Sequence, residues 1–163
     1  MAFINETHLL ANAYYDGCTY SLNMSSMEVD DYAAKCGLIG SEHQGFRSDL
    51  RFERPVGLAV SATYVFISLR SEKMIISIDK ESGHGFTLVE TPQGVLFLSL
   101  NVVNTLLYMS LDDSIAGFSL DGTSANVELV VDSSGDGARI DYPMDLIILD
   151  GSTLLVTEMR EDK

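Results

Sequence analysis

An internal repeat constrains this chain more than any other feature of its sequence. Four segments align without gaps on their first threonines, and these are Thr7–Asn23, Thr63–Asp79, Thr105–Asp121 and Thr153–Lys163. A short, mainly apolar stretch follows each threonine, and in the first three segments a polar tip and a second apolar stretch come next. Strand, turn and strand in this order predict a β-hairpin with buried arms and an exposed tip.

Proline-led apolar segments precede three of these hairpins, at Pro55–Val60, Pro92–Phe97 and Pro143–Ile148. Proline suits the first residue of a strand because no ladder N–H is needed there. Further strands are predicted after the hairpins, at Asp31–Leu38, Gly85–Glu90 and Val127–Val131. Each complete unit therefore has four strands, and four antiparallel strands in about 40–50 residues are typical of a β-propeller blade.

The units resemble NHL repeats, whose blades open with a proline and an aliphatic strand. The linker Phe52–Leu58 resembles the glycine-rich connection between NHL blades, and the stretch from Asp132 to Pro143 repeats it. Asp145 departs from the pattern, because Gly57 and Gly94 occupy the corresponding positions in the other units. The resemblance implies an all-β, propeller-like array of four-stranded blades, and a generic β-sandwich built from the same hairpins is the alternative fold.

The chain is predicted to be one segment, 1–163, with units at about 7–54, 55–91 and 92–142 and a partial unit at 143–163. Only six residues precede Thr7, which we take as too few for an innermost strand of the first blade. The count gives about three blades, whereas propellers typically close with 4–8. We expect a piece of a longer propeller, a homodimer joined head to tail, or an open array whose edge is kept soluble by the charges at 160–163.

Charge excludes several classes of partner. The chain has 24 acidic and 10 basic residues, a net charge of −14. Such a surface repels phosphate groups, so we expect no nucleic acid and no anionic membrane as partners. The uncharged run Thr91–Leu111 is long enough for a membrane span, but its asparagines fit two buried strands better. The N-terminus has no basic and apolar leader, and we therefore expect a cytoplasmic protein.

Residues with catalytic or metal-binding chemistry are sparse. The histidines His8, His43 and His84 lack the spacing of zinc ligands. The acidic turns Asp112-Asp113 and Asp132–Gly137 are candidate calcium ligands. An EF-hand loop that began at Asp132 would need glutamate at its twelfth position, and Pro143 occupies that position. Asp145 lies at the start of a predicted inner strand, and inner strands line the channel where a metal would bind. We prefer the interpretation that Asp145 is an acid at a strand end that faces water. We therefore predict no catalytic, cofactor-binding or metal residues and no cofactor.

The only two cysteines, Cys18 and Cys36, fall opposite each other if the chain turns near Met27. A disulfide is then geometrically feasible. A chain without a secretory leader belongs in a reducing compartment, which favours two buried free thiols.

Two functions remain, and the residues favour a non-catalytic role. The first is a protein-interaction or scaffold module, which the NHL resemblance also implies, with a partner that has a basic surface. The alternative is a metal-dependent, lactonase- or lyase-like propeller enzyme completed by another chain. The aligned apolar positions predict the core: Leu9, Leu10, Leu58, Val60, Val65, Phe66, Val95, Phe97, Leu107, Tyr108, Leu146, Ile148, Leu154 and Leu155.

Overall fold

The computed structural model describes residues 1–101, 105–121, 127–132, 140, 142–149 and 153–159. These residues form fifteen β-strands and no helix. The strands are β1 (Ala2–Phe3), β2 (His8–Ala13), β3 (Cys18–Asn23), β4 (Val29–Ala33), β5 (Gly45–Phe46), β6 (Pro55–Val60), β7 (Tyr64–Leu69), β8 (Met74–Asp79), β9 (His84–Glu90), β10 (Phe97–Asn101), β11 (Leu106–Ser110), β12 (Ser114–Ser119), β13 (Val127–Asp132), β14 (Pro143–Ile148) and β15 (Leu154–Glu158).

The described strands pair into four antiparallel sheets. Sheet 1 contains β1 to β4, sheet 3 contains β10 to β13, and sheet 4 contains β14 and β15. Sheet 2 has the order β5-β9-β8-β7-β6, because β5 adds to the far edge of β9. The sheets contact one another in chain order, since β6 lies against β1 and β2, and β10 lies against β6 and β14. This array of open sheets is the predicted incomplete, propeller-like fold, not a two-sheet sandwich.

The hairpins follow the repeat. The pairs β2–β3, β7–β8 and β11–β12 occupy the first three aligned segments, and their tips lie at the predicted polar residues. In the middle hairpin Tyr64 opposes Asp79 and Leu69 opposes Met74. The apolar run Thr91–Leu111 contains the paired strands β10 and β11, as expected. Within the described residues no helix is long and apolar enough to cross a membrane.

The first blade has an inner strand, β1, so the prediction that it lacks one is wrong. Ala2 pairs with Leu10 and Phe3 with Leu9. The reversal between β1 and β2 is tight because Asn5 Oδ1 accepts hydrogen bonds from the backbone N–H groups of Thr7 and His8, at 2.9 and 2.8 Å. Six residues therefore suffice for a two-residue strand and its turn.

Two other predicted strands have different limits. β10 begins at Phe97, because Thr91 Oγ1 donates to the Gln93 carbonyl at 2.7 Å and residues 92–96 form a loop. β4 ends at Ala33, and not at Leu38, because Ala34 has a φ of 58° that extended strands do not adopt.

The core lies between successive sheets. One buried cluster joins sheets 1 and 2, a second joins sheets 2 and 3, and a small third joins sheets 3 and 4. The predicted positions that are buried are Leu10, Leu58, Val65, Phe66, Val95, Leu107 and Leu146. Those only partly buried are Leu9, Val60, Phe97, Tyr108, Ile148 and Leu154. The prediction is wrong for Leu155, which is 50% exposed because no described sheet covers its side of sheet 4.

Cys18 and Cys36 form a disulfide with a Cα–Cα distance of 5.0 Å, so the prediction of free thiols is wrong. After β4 the chain folds back, and the backbone N–H of Gly37 donates to the Asp16 carbonyl at 2.8 Å. This local turn brings Cys36 over the first residue of β3. The cellular compartment does not determine whether two cysteines lie close enough to bond, and this turn does.

Gly57 lies where sheets 2 and 3 approach each other. Its N–H donates to Ser68 Oγ at 2.7 Å. A Cβ added here would lie 2.8 Å from Ser68 Oγ and 3.0 Å from the Leu98 backbone nitrogen. Glycine is therefore required at this position of the proline-led segment by close packing.

We expect Gly57→Ala to lower the free energy of unfolding by about 1–3 kcal/mol, because the added methyl forces backbone apart. Gly117→Ala is the matched control, since its Cβ would meet nothing nearer than 3.6 Å. Urea unfolding of both variants measures the difference. Equal losses at the two positions would contradict the close approach at Gly57.

Candidate interaction surfaces

The three histidines lie in different settings. His8 Nδ1 is 2.9 Å from Thr7 Oγ1 at the start of β2. His84 packs edge-on against Phe46, with ring centroids 5.9 Å apart. The structure does not bring these residues into one site.

His43 and Glu72 form a partly buried hydrogen-bonded pair. The two side chains are 13% and 12% exposed, and His43 Nε2 is 3.0 Å from Glu72 Oε2. Burial raises the pKa of Glu72, and the nearby imidazole partly offsets that rise. The pair ties the loop before β5 to the tip of the β7–β8 hairpin, which is a structural role.

The acidic candidates are also separate. Asp112 Oδ1 accepts a hydrogen bond from Arg70 Nη2 at 3.0 Å, which joins the tips of sheets 2 and 3. Asp145 is exposed on β14, and its Oδ1 accepts the Leu146 N–H at 2.8 Å. The side chain of Asp132 and residues 133–139 lie outside the described residues. Within the described part no group of three or more histidine, cysteine, aspartate or glutamate side chains is placed to hold a metal ion.

The two ends of the array carry exposed apolar faces instead. In sheet 1, Phe3 opposes Leu9, Leu9 opposes Leu22, and Leu22 opposes Val29. Directly opposed residues point to the same side of a sheet, so these four form one row. We name this row the first outer face. Phe3 is 60% exposed and Val29 58%.

The first outer face points away from sheet 2. Asn12 lies on the opposite side of β2 from Leu9, since an odd separation changes the face. Asn12 Nδ2 donates to the Gly57 carbonyl at 3.2 Å, which places its side of sheet 1 against sheet 2. The row of four apolar residues therefore faces outward.

Sheet 4 has a similar face at the other end. Ile147 opposes Leu155, and the two are 52% and 50% exposed. Leu149 and Met159 lie beside them and are 61% and 50% exposed. Leu146, on the other side of β14, is buried with Ile115 of sheet 3. We name Ile147, Leu149, Leu155 and Met159 the last outer face.

Sequence reasoning missed both faces. The repeat pattern assigns aligned apolar residues such as Leu155 to the core and contains no signal for an exposed apolar row. In β14 both Ile147 and Ile148 are apolar, so the pattern does not say which of them faces solvent. The register was needed to make that distinction.

Comparisons with known proteins bear on the fold. No protein-family model matches this chain, and no curated protein matches it. Among solved structures it is similar to a chain of the nidogen/laminin complex, with a TM-score of 0.62 and 16% identity over 85% of this chain and 48% of that one. It is also similar to hydrazine synthase of Kuenenia stuttgartiensis, with a TM-score of 0.63 and 10% identity over 95% of this chain and 40% of that one.

A third similar structure is the computationally designed Ika4 protein, with a TM-score of 0.57 and 13% identity. That match covers 98% of this chain and 89% of the designed one. This chain thus spans less than half the length of the two natural neighbours, which are β-propellers. Likeness at such low identity shows the fold alone, and NHL membership stays a resemblance. The chain folds as an incomplete β-propeller-like array of antiparallel blades.

Proposed function

We propose that this chain is a non-catalytic protein-interaction module that recognises a protein partner through its outer faces. The observation that carries the proposal is the exposure of large apolar side chains at both ends of the described sheets. Contiguous exposed apolar residues with polar neighbours are typical of surfaces that bind proteins. The similarity to a chain of the nidogen/laminin complex, an assembly of two proteins, is compatible with such a role.

Each outer face also carries an exposed carboxylate. Asp31 follows Val29 on β4 at a spacing of two, so it lies on the same side of sheet 1, and Asp145 precedes Ile147 on β14 in the same way. Both aspartates are exposed. A partner that combines apolar side chains with lysine or arginine complements these faces, and the net charge of −14 attracts it at long range.

Panning a random peptide library on the immobilised protein tests the proposal. We expect enrichment of peptides that combine apolar with basic residues, and weaker recovery in high salt. Phe3→Ser or Leu155→Ser should reduce recovery severalfold, because each removes a half-exposed apolar contact without opening the core. Phe86→Ser is the matched control, since Phe86 is 40% exposed but lies on β9 of sheet 2, which carries neither outer face. Equal recovery on all three variants would contradict the proposal.

A second copy of this chain is the alternative binding partner for these faces. The sequence analysis expected the missing strands of the two ends to be complementary, and β1 makes that expectation wrong because sheet 1 is complete. What the ends share is an open apolar face, which would allow two copies to stack head to tail. Asp31 of one copy and Asp145 of the other would then approach each other and repel. High salt screens that repulsion and should strengthen self-association, whereas it should weaken the binding of a basic partner.

Light scattering at low and high salt decides between these occupants. A homodimer predicts about twice the chain mass of 17.8 kDa, with a larger dimeric fraction in high salt. A single species near 17.8 kDa in both conditions contradicts the dimer.

A further inference from the structure

A cleft opens between sheets 2 and 3, away from the outer faces. On its sheet 2 side, Phe66 opposes Ser77 and Ser77 opposes Phe86, so these three residues form one row across β7, β8 and β9. Phe66 packs into the core shared with sheet 3, which places the row on the side facing that sheet. The cleft has a volume of about 480 Å³, within the range of small-molecule sites.

Aromatic rings form the wall of the cleft. Tyr64 lies 6.3 Å from Phe86, edge to face, and 6.2 Å from Phe66, between ring centroids. Phe118 of sheet 3 lines the opposite side. Phe86 is 40% exposed although it belongs to this aromatic group, so a large ring surface faces the open cleft. An arrangement of this kind favours a flat ring that can stack or pack edge-on.

One polar group lies in the middle of this wall. Ser77 is only 1% exposed and its side chain lines the cleft between two phenylalanines. The Ser77 hydroxyl is reached from the cleft, and a ligand group that donates or accepts a hydrogen bond would take the place of water there.

The described residues that line the cleft carry no charge. Two ionised side chains bond to lining residues at the margin of the cleft, and one of them is Lys80, whose Nζ donates to the Ser61 carbonyl at 3.1 Å. Asp121 Oδ1 accepts from Ser119 Oγ at 2.6 Å. A charged ligand would lose its hydration here without gaining an opposite charge, so an uncharged one is favoured.

We propose that this cleft binds a small, uncharged, ring-bearing compound that offers a hydrogen-bonding group to Ser77. The site is separate from the outer faces, and its described residues lie on sheets 2 and 3 and in the turns between their strands. The rings of Tyr64, Phe86 and Phe118 would hold the ligand ring, and Ser77 would fix its orientation.

Three naphthalene probes test the proposal. The chain has no tryptophan, so probe fluorescence can be followed without that background. We expect saturable binding of 2-naphthol, weaker binding of naphthalene, which lacks the hydroxyl, and no binding of 2-naphthalenesulfonate, which is charged. Ser77→Ala should weaken 2-naphthol about three- to tenfold and leave naphthalene unchanged, as the loss of one hydrogen bond predicts.

Phe86→Ala should weaken both uncharged probes about fivefold or more, because the exposed ring is removed. Phe46→Ala, at a ring of similar exposure on β5, should change neither. Circular dichroism establishes that each variant is folded, and Ser77→Ala gives a second readout if Phe86→Ala fails to fold. Equal affinity for the sulfonate, equal loss in Phe46→Ala, or no saturable binding of 2-naphthol would overturn the proposal.

Discussion

Phe66→Ala should lower the free energy of unfolding by about 3–5 kcal/mol, the loss expected when a fully buried phenylalanine is truncated. Phe66 is 1% exposed and packs in the cluster between sheets 2 and 3. Alanine would leave a cavity in the buried cluster that joins these two sheets. Urea unfolding followed by circular dichroism measures the change.

Phe86→Ala is the matched control for this prediction. The two phenylalanines flank Ser77 in the same row, but Phe86 is 40% exposed and should lose much less stability. The sequence analysis placed Phe97 beside Phe66 in the core. Phe97 is only partly buried, so its truncation should fall between the other two. A wild-type unfolding curve for Phe66→Ala would contradict the packing between sheets 2 and 3.

Reduction of the Cys18–Cys36 disulfide should lower the free energy of unfolding by about 3 kcal/mol. The two cysteines are 18 residues apart, and the bond restricts the unfolded chain by closing a loop of that length. Unfolding of the same protein with and without a reductant measures the difference. Because the sequence has only two cysteines, no other disulfide contributes.

The variant Cys18→Ala/Cys36→Ala provides the control, since a reductant should not change its stability. A thiol assay on denatured, unreduced protein gives an independent readout. Two free thiols per chain in that assay, with stability independent of reductant, would contradict the disulfide and restore the expectation drawn from the sequence.

The repeat determined most of the local structure. Hairpins between consecutive strands depend on apolar stretches and on the polar residues at their tips, and both can be read along the chain. The pairing of Tyr64 with Asp79 at one end of a hairpin and Leu69 with Met74 at the other follows from such a pattern.

The tertiary structure decided what covers each sheet face. Apolar residues at Leu154 and Leu155 look alike in sequence, but only one side of sheet 4 has a neighbouring sheet, so Leu155 is exposed. The pairing of β1, the turn that brings Cys36 to Cys18, and the place of Ser77 in the cleft between sheets 2 and 3 depend in the same way on residues distant along the chain or on irregular turns. Strand pairing within a hairpin is local, so the alternation of apolar and polar residues predicts it. Burial of a sheet face depends on how separate sheets stack, and the periodicity of one strand does not encode that stacking.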